Sequence, residues 1–325
     1  MVVDAELGRF GDLLFGSALA VYVLAMILHA VEHGLLRRTE PAADQARISV
    51  AAGGGGADSD PEDAPVSPTD PAPRSRAEIF GRMGVSLTVL GFGLHAAMLV
   101  VRGFAAQRVP WGNMYEFTAA ICLVAVGAWL VVLRRHPDLR RLGVFVLLPV
   151  IVLMFLAGTV LYTQTAPVVP ALRSYWLVIH VSAAVVSSGI LLLAGVASCL
   201  YLTRAAHDAN PGRLAWTSRL PGADVLDRVA YRATALAFPI WTFAVITGAI
   251  WAEAAWGRYW GWDPKETTAF IAWIVYACYL HARSTAGWRG RRAAVINVAG
   301  FAVMVFNLFF VNLVVTGLHS YAGVG

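Results

Sequence analysis

Apolar residues gather into eight stretches separated by polar segments, at about 11–33, 82–102, 115–133, 142–162, 174–203, 229–252, 267–286 and 293–316. Each is near the roughly 20 residues that a helix needs to cross a hydrocarbon core. The pattern predicts an all-α polytopic membrane protein with about eight transmembrane helices. Basic residues collect in alternate connections. Arg37, Arg38, Arg74, Arg76 and Arg82 flank the first connection, and Arg134, Arg135, Arg140 and Arg141 fill the third. Arg204, Arg213, Arg219 and Arg228 fill the fifth, and Arg283, Arg289, Arg291 and Arg292 the seventh. Arginine and lysine mark cytoplasmic loops, so these four are expected inside, with both termini outside. Segments 103–114, 163–173 and 253–266 then face outward, and Arg102 and Arg108 are mild exceptions to the trend.

The first stretch is long, follows Asp4, Glu6 and Asp12, and lacks a basic leader, so it reads as a transmembrane helix over 1–36 rather than a cleaved signal. Residues 37–77 hold Gly53–Gly56 and six prolines from Pro41 to Pro73 with almost no large apolar side chain. That composition cannot bury a core and predicts a disordered cytoplasmic loop. Residues 78–325 form the remaining membrane domain of about seven helices. Of the 325 residues, 58% are hydrophobic and 14% charged, and mean hydropathy is +0.64; a soluble domain carries roughly 25% charge. The net charge of +5 therefore speaks to topology, and no nucleic-acid partner is expected. Cys122, Cys199 and Cys278 form neither C-x-x-C nor C-x-x-C-H, so they read as small buried thiols.

The densest chemistry lies in 251–266. Trp251, Trp256, Trp260 and Trp262 precede Asp263-Pro264-Lys265-Glu266, a helix start with an N-cap, a proline in the first turn and a capping-box acid. Asp263 and Glu266 read mainly as capping residues. Indole faces at a helix mouth suit a flat conjugated ring. The helix N-terminus with Lys265 and Arg258 suits its carboxylates. Interfacial anchoring alone accounts for Trp111, Trp176, Trp216 and Trp288.

Of eight histidines, His33, His136 and His207 sit in or beside inner loops, and His29 lies low in the first stretch. His180 opens the fifth stretch and His319 follows the eighth, so topology brings both to the tryptophan side. Two imidazoles on opposite faces of a porphyrin form an axial pair for haem iron. His281 lies about four turns below Lys265 on the seventh helix, and His95 lies mid-membrane. A low histidine and two high ones mark an inner and an outer stop for one ligand; packing or snorkelling is the competing account of each.

Trp256-Gly-Arg-Tyr-Trp260-Gly-Trp262-Asp263-Pro-Lys-Glu266 resembles the tryptophan-rich WWD signature of the haem-handling proteins of cytochrome c maturation. From Ser174 to Tyr321 the chain is similar to the CcsA/ResC branch of system II. The resemblance implies haem b as bound substrate, His180 and His319 as outer iron ligands, and His281 as a transmembrane iron ligand. The candidate ring platform read from the residues themselves is Trp251, Trp256, Trp260 and Trp262 with Lys265, direct contact by Asp263 being the weaker option. The resemblance also implies a CcsB/ResB-type membrane partner, an apocytochrome c bearing C-x-x-C-H, and thiol-reducing proteins acting indirectly. No residue is assigned as catalytic. The expected role is the haem-handling part of a two-subunit cytochrome c synthase in a bacterial plasma membrane, with its active site on the extracytoplasmic face. The alternatives are a secondary transporter of another amphipathic anion and a structural membrane subunit.

Overall fold

The computed structural model describes residues 4–52, 75–166, 174–315 and 317–319, with side chains over 36–52 excluded. These residues form an all-α polytopic membrane protein. The helices are α1 (Ala5–Ala52), α2 (Arg76–Ala106), α3 (Met114–Arg135), α4 (Gly143–Thr159), α5 (Tyr175–Ala209), α6 (Ala223–Trp256), α7 (Pro264–Ser284) and α8 (Arg291–Leu313). Short 3-10 helices at Pro137–Leu142 and Ala215–Arg219 link α3 to α4 and α5 to α6. Seven described helices are long and apolar enough to cross a membrane, against eight apolar stretches in the sequence. The one below that level is α7, because Lys265 to Thr268 at one end and His281 and Arg283 at the other dilute its apolar centre. Helix α1 continues to Ala52, past the expected loop start at 37, through a run rich in the strong helix former alanine. The rest of that expected loop, 53–74, lies outside the described residues.

Helices α1 and α2 show why polar side chains can sit inside this bundle. On α1 the buried positions are Gly8, Gly11, Phe15, Ala18, Tyr22, Ala25, His29 and Glu32; on α2 they include Gly81, Gly84, Thr88, Gly91, His95, Met98 and Arg102. Both sets step by three and four, the spacing of a packed helix seam. The pair is antiparallel, with Asp4 N–H donating to the Ala105 carbonyl 3.2 Å away. One register holds throughout, and it sets large residues over glycines. The Glu32 carboxyl lies on Gly81, the His29 ring on Gly84, the Tyr22 ring on Gly91, and the Arg102 stem on Gly11. Gly143, at the start of α4, closes the other side of His29, where a Cβ would stand 2.7 Å from the imidazole. Glu32 accepts from Arg140 Nε at 2.7 Å, which compensates its buried charge.

At the opposite end, Arg102 is fully buried and donates to Glu116 Oε1 (3.3 Å), Asp12 Oδ1 (3.2 Å) and the Thr163 carbonyl (2.8 Å). Arg108 forks onto both Glu116 oxygens at 2.6 and 3.2 Å. The two exceptions to the basic-loop trend are thus neutralised by two carboxylates from other elements. His95, also fully buried, lies 3.4 Å from the Tyr22 hydroxyl.

The largest core cluster joins α1 to α5 around Met98, Tyr115, Cys122, Leu147 and Met154. Only Cys122 of the three thiols is buried; Cys199 and Cys278 are exposed on helix surfaces, contrary to the reading of all three as buried. An apolar helix face turned toward lipid accepts a small thiol as readily as a core does. Helices α5 to α8 pack as a second group beside this core, with α5 shared by both.

Candidate functional site

A cavity of about 210 Å³ opens at the end of the bundle where α3, α5 and α7 begin. Its walls come from the Trp111–Met114 turn and from α3, α4, α5, α6, α7 and α8, ending at His319. Neither α1 nor α2 contributes. Its lower walls are apolar, with Ile121, Leu153, Leu191 and Phe301 among them; its mouth carries the aromatic and polar groups.

His180 stands in the second turn of α5, whose N-cap Ser174 accepts from Trp176 N–H. Its Nδ1 is 2.8 Å from the Ala244 carbonyl of α6. A carbonyl only accepts, so Nδ1 carries the proton and the lone pair resides on Nε2. Gly248, one turn along α6, leaves room for the ring; a Cβ there would be 2.7 Å from His180 Cε1.

The chain between α6 and α7 is held by a local circuit. Gly257 ends α6 at φ 69, with its N–H on the Glu253 carbonyl. Glu266 Oε2 accepts from Gly261 N–H (2.9 Å) and Asp263 N–H (3.1 Å), while Asp263 Oδ1 accepts from Lys265 N–H (3.0 Å). This is the expected capping box. Asp263 also does more than cap. Its Oδ2 accepts from Leu318 N–H at 2.8 Å, and its Oδ1 lies 2.9 Å from His319 Nδ1. The segment after α8 is thereby fastened to the start of α7. Burial works to raise the Asp263 pKa, but the hydrogen bonds from His319, Leu318 and Lys265 outweigh it and hold the group at about 2. A carboxylate on Nδ1 fixes the tautomer of His319 with its lone pair on Nε2, the arrangement that orients metal-binding imidazoles.

Trp251, 2% exposed, links the two histidines. Its ring stacks on His180 at 6.2 Å, lies tilted to His319 at 6.0 Å and meets Trp256 edge-on at 4.8 Å, and Trp256 meets His319 edge-on at 5.1 Å. Lys265 lines the same cavity, with Nζ 2.5 Å from Asn312 Oδ1 and 4.0 Å from Met114 Sδ. The mouth thus assembles two imidazoles with lone pairs on Nε2, a lysine, and indole faces and edges.

The structure brings His180, His319, Trp251, Trp256, Trp260 and Lys265 to one cavity, with Asp263 behind His319. Two expected members do not line it, although Trp262 packs edge-on against Trp260 at 5.9 Å. Trp262 is 68% exposed and does not line the cavity; it adopts φ 57 while the amides on either side of it bind Glu266. A left-handed conformation is rare for a bulky residue, and here it turns the indole outward. His281 is exposed near the far end of α7, about 24 Å along the helix from Lys265. Sequence reasoning missed Trp241 and Asn312, treated Trp111 as an interfacial anchor, and gave no role to Met114 or Gly248, all at the site. Trp241 and Gly248 lie on α6, Met114 opens α3, Asn312 stands one residue before the end of α8, and Trp111 sits in the turn before α3, so no shared local signal in the sequence marks them.

The family described as cytochrome C assembly protein matches residues 111–319, a range whose two ends, Trp111 and His319, both line the cavity. Relatives named cytochrome c biogenesis protein CcsA include one from Mesostigma viride, 32% identical over 75% of this chain and 86% of its own length. Another, from Synechococcus elongatus, is 37% identical over 70% of this chain and 83% of its own. A third, from Chlamydomonas reinhardtii, is 35% identical over 74% and 67%. The chain belongs to the cytochrome c assembly family and stands among its CcsA members.

Proposed function

We propose that this protein takes haem b as a substrate, holds it at the extracytoplasmic face of a bacterial plasma membrane, and presents it for covalent attachment to apocytochrome c. The observation that carries this reading is the pairing of His180 and His319 across Trp251, each with Nδ1 on an acceptor and Nε2 as the lone-pair nitrogen. That donor set matches an iron with two axial imidazoles. Lys265, at the mouth, would meet a propionate. The cavity is smaller than the roughly 300–1,000 Å³ of a typical ligand pocket, so the indoles would hold one edge of the ring between its two imidazoles while the rest of the ring would stay at the open mouth. Such a grip leaves vinyl groups accessible. Attachment adds each thiol of a C-x-x-C-H segment across a vinyl: sulfur bonds one carbon, and the thiol proton goes to the other. This chain's contribution is orientation, which brings thiol and vinyl into reacting geometry.

Exposure of His281 on α7 fits a lower iron site completed from outside the chain. The proposed source is a CcsB/ResB-type subunit, the two chains together forming the synthase. Thiol-reducing proteins act upstream by keeping the apocytochrome cysteines reduced. The test is the visible spectrum of the purified protein. A Soret band of bis-imidazole character, shifted or lost in His180→Ala and His319→Ala, is expected. A colourless protein from haem-replete cells, with its partner present, would overturn the reading in favour of another amphipathic anion or a purely structural subunit.

A further inference from the structure

We propose that Glu116 and Arg108 are positioning residues of the cavity: together they clamp the Trp111–Met114 wall and so set how the substrate ring seats against Lys265. The proposal rests on the haem reading above. Glu116 lies in the first turn of α3, is fully buried, and accepts four hydrogen bonds: from Arg102 Nε, from Arg108 Nη1 and Nη2, and from Gly112 N–H at 3.0 Å. Its own N–H donates to the Asn113 side chain at 2.9 Å. Arg108 also donates to the Ala166 and Val109 carbonyls. The knot therefore grips both ends of one short segment, Arg108 before it and Glu116 after it.

What lies between them is cavity wall. Trp111, Gly112, Asn113 and Met114 all line the cavity, whereas Arg102, Arg108 and Asp12 do not. Met114 Sδ reaches Lys265 Nζ at 4.0 Å, so the clamped segment touches the cation proposed for a propionate. Two guanidiniums and two carboxylates close the charge balance, with Asp12 anchored by the Tyr162 hydroxyl at 2.6 Å. A buried pair is fixed in geometry because breaking it strands a charge. A flexible apolar contact would not hold the wall at one depth. Glu116 and Arg108 act through the wall and not on the ring.

The experiment measures haem transfer from the purified full-length protein to an excess of apo-globin, alongside thermal unfolding of the same samples. Arg108→Gln should release haem about tenfold faster, equivalent to ~1.4 kcal/mol, with a changed Soret shape. The unfolding temperature should fall as well, because Glu116 keeps only Arg102 as a counter-charge, so the Soret shape is the readout that separates positioning from a merely structural role. Arg108→Lys keeps the charge but loses the two-pronged contact and should fall between the two. Arg228→Gln, which breaks an exposed pair with Asp224 at the other end of the bundle, should match wild type. If Arg108→Gln does not fold, Arg108→Lys decides, and release at the wild-type rate overturns the proposal. A coloured wild type with unchanged release in Arg108→Gln defeats only the positioning role. A wild type without haem defeats the site reading itself.

Discussion

Asp263→Asn isolates the charge that ties His319 to the head of α7. Asparagine caps helices about as well as aspartate, so the start of α7 survives and only the charge is lost. The carboxyl titrates at about 2 against an ordinary 3.8. At 1.36 kcal/mol per pH unit that shift is worth about 2 kcal/mol. Charge-assisted hydrogen bonds, at roughly 1.5–3 kcal/mol, give the same scale. Asp263 is 7% exposed, so water screens it little. Its folded pKa lies below the unfolded one, so the stabilisation is complete above about pH 4 and is lost as pH falls through about 2. Reversible unfolding in mixed micelles, followed by tryptophan fluorescence, should show Asp263→Asn less stable by about 2 kcal/mol near pH 6. The difference should close toward pH 2. Equal deficits at both ends of that range would assign the effect to packing and refute the charge argument. No deficit near pH 6 would mean that the tail carrying His319 is not held by this carboxylate. The same variant should loosen His319 and broaden the haem spectrum.

Gly248→Ala should displace the His180 imidazole and weaken the bis-imidazole spectrum, whereas Gly93→Ala, with open space around it, should not; equal spectra in the two variants would count against the close approach. Trp256→Ala should lower haem retention strongly, because Trp256 touches Trp251 and His319, while Trp262→Ala should resemble Trp288→Ala, since both indoles are exposed. Comparable losses from Trp256 and Trp262, read as haem per protein after purification, would show that the outward indole belongs to the platform. Gly84→Val should separate α1 from α2 by pressing on His29 and cost about 1–3 kcal/mol or more from overpacking. A thermal unfolding temperature equal to that of wild type would contradict the constant register of this seam.

Much of this protein is written in contiguous residues. Apolar runs announce the helices, arginine-rich connections sort their ends, and Asp263-Pro264-Lys265-Glu266 specifies the start of α7 through bonds spanning five residues or fewer. Such features need no knowledge of neighbours, because a capping box or a spanning helix satisfies its own backbone. Tertiary packing decided the rest. Nothing local predicts that Asp263 reaches His319, 56 residues on, or that His180 leans on the Ala244 carbonyl, 64 residues on. Arg102 and Arg108 read as exceptions because their counter-charges, Asp12 and Glu116, arrive from two other helices. Trp262 has the platform's spacing, but only the fold sets its indole largely exposed and edge-on against Trp260 rather than on the cavity wall. Burial of a polar group is only tolerable where another element supplies its partner, and which element does so is fixed by how the helices pack rather than by their order in the chain.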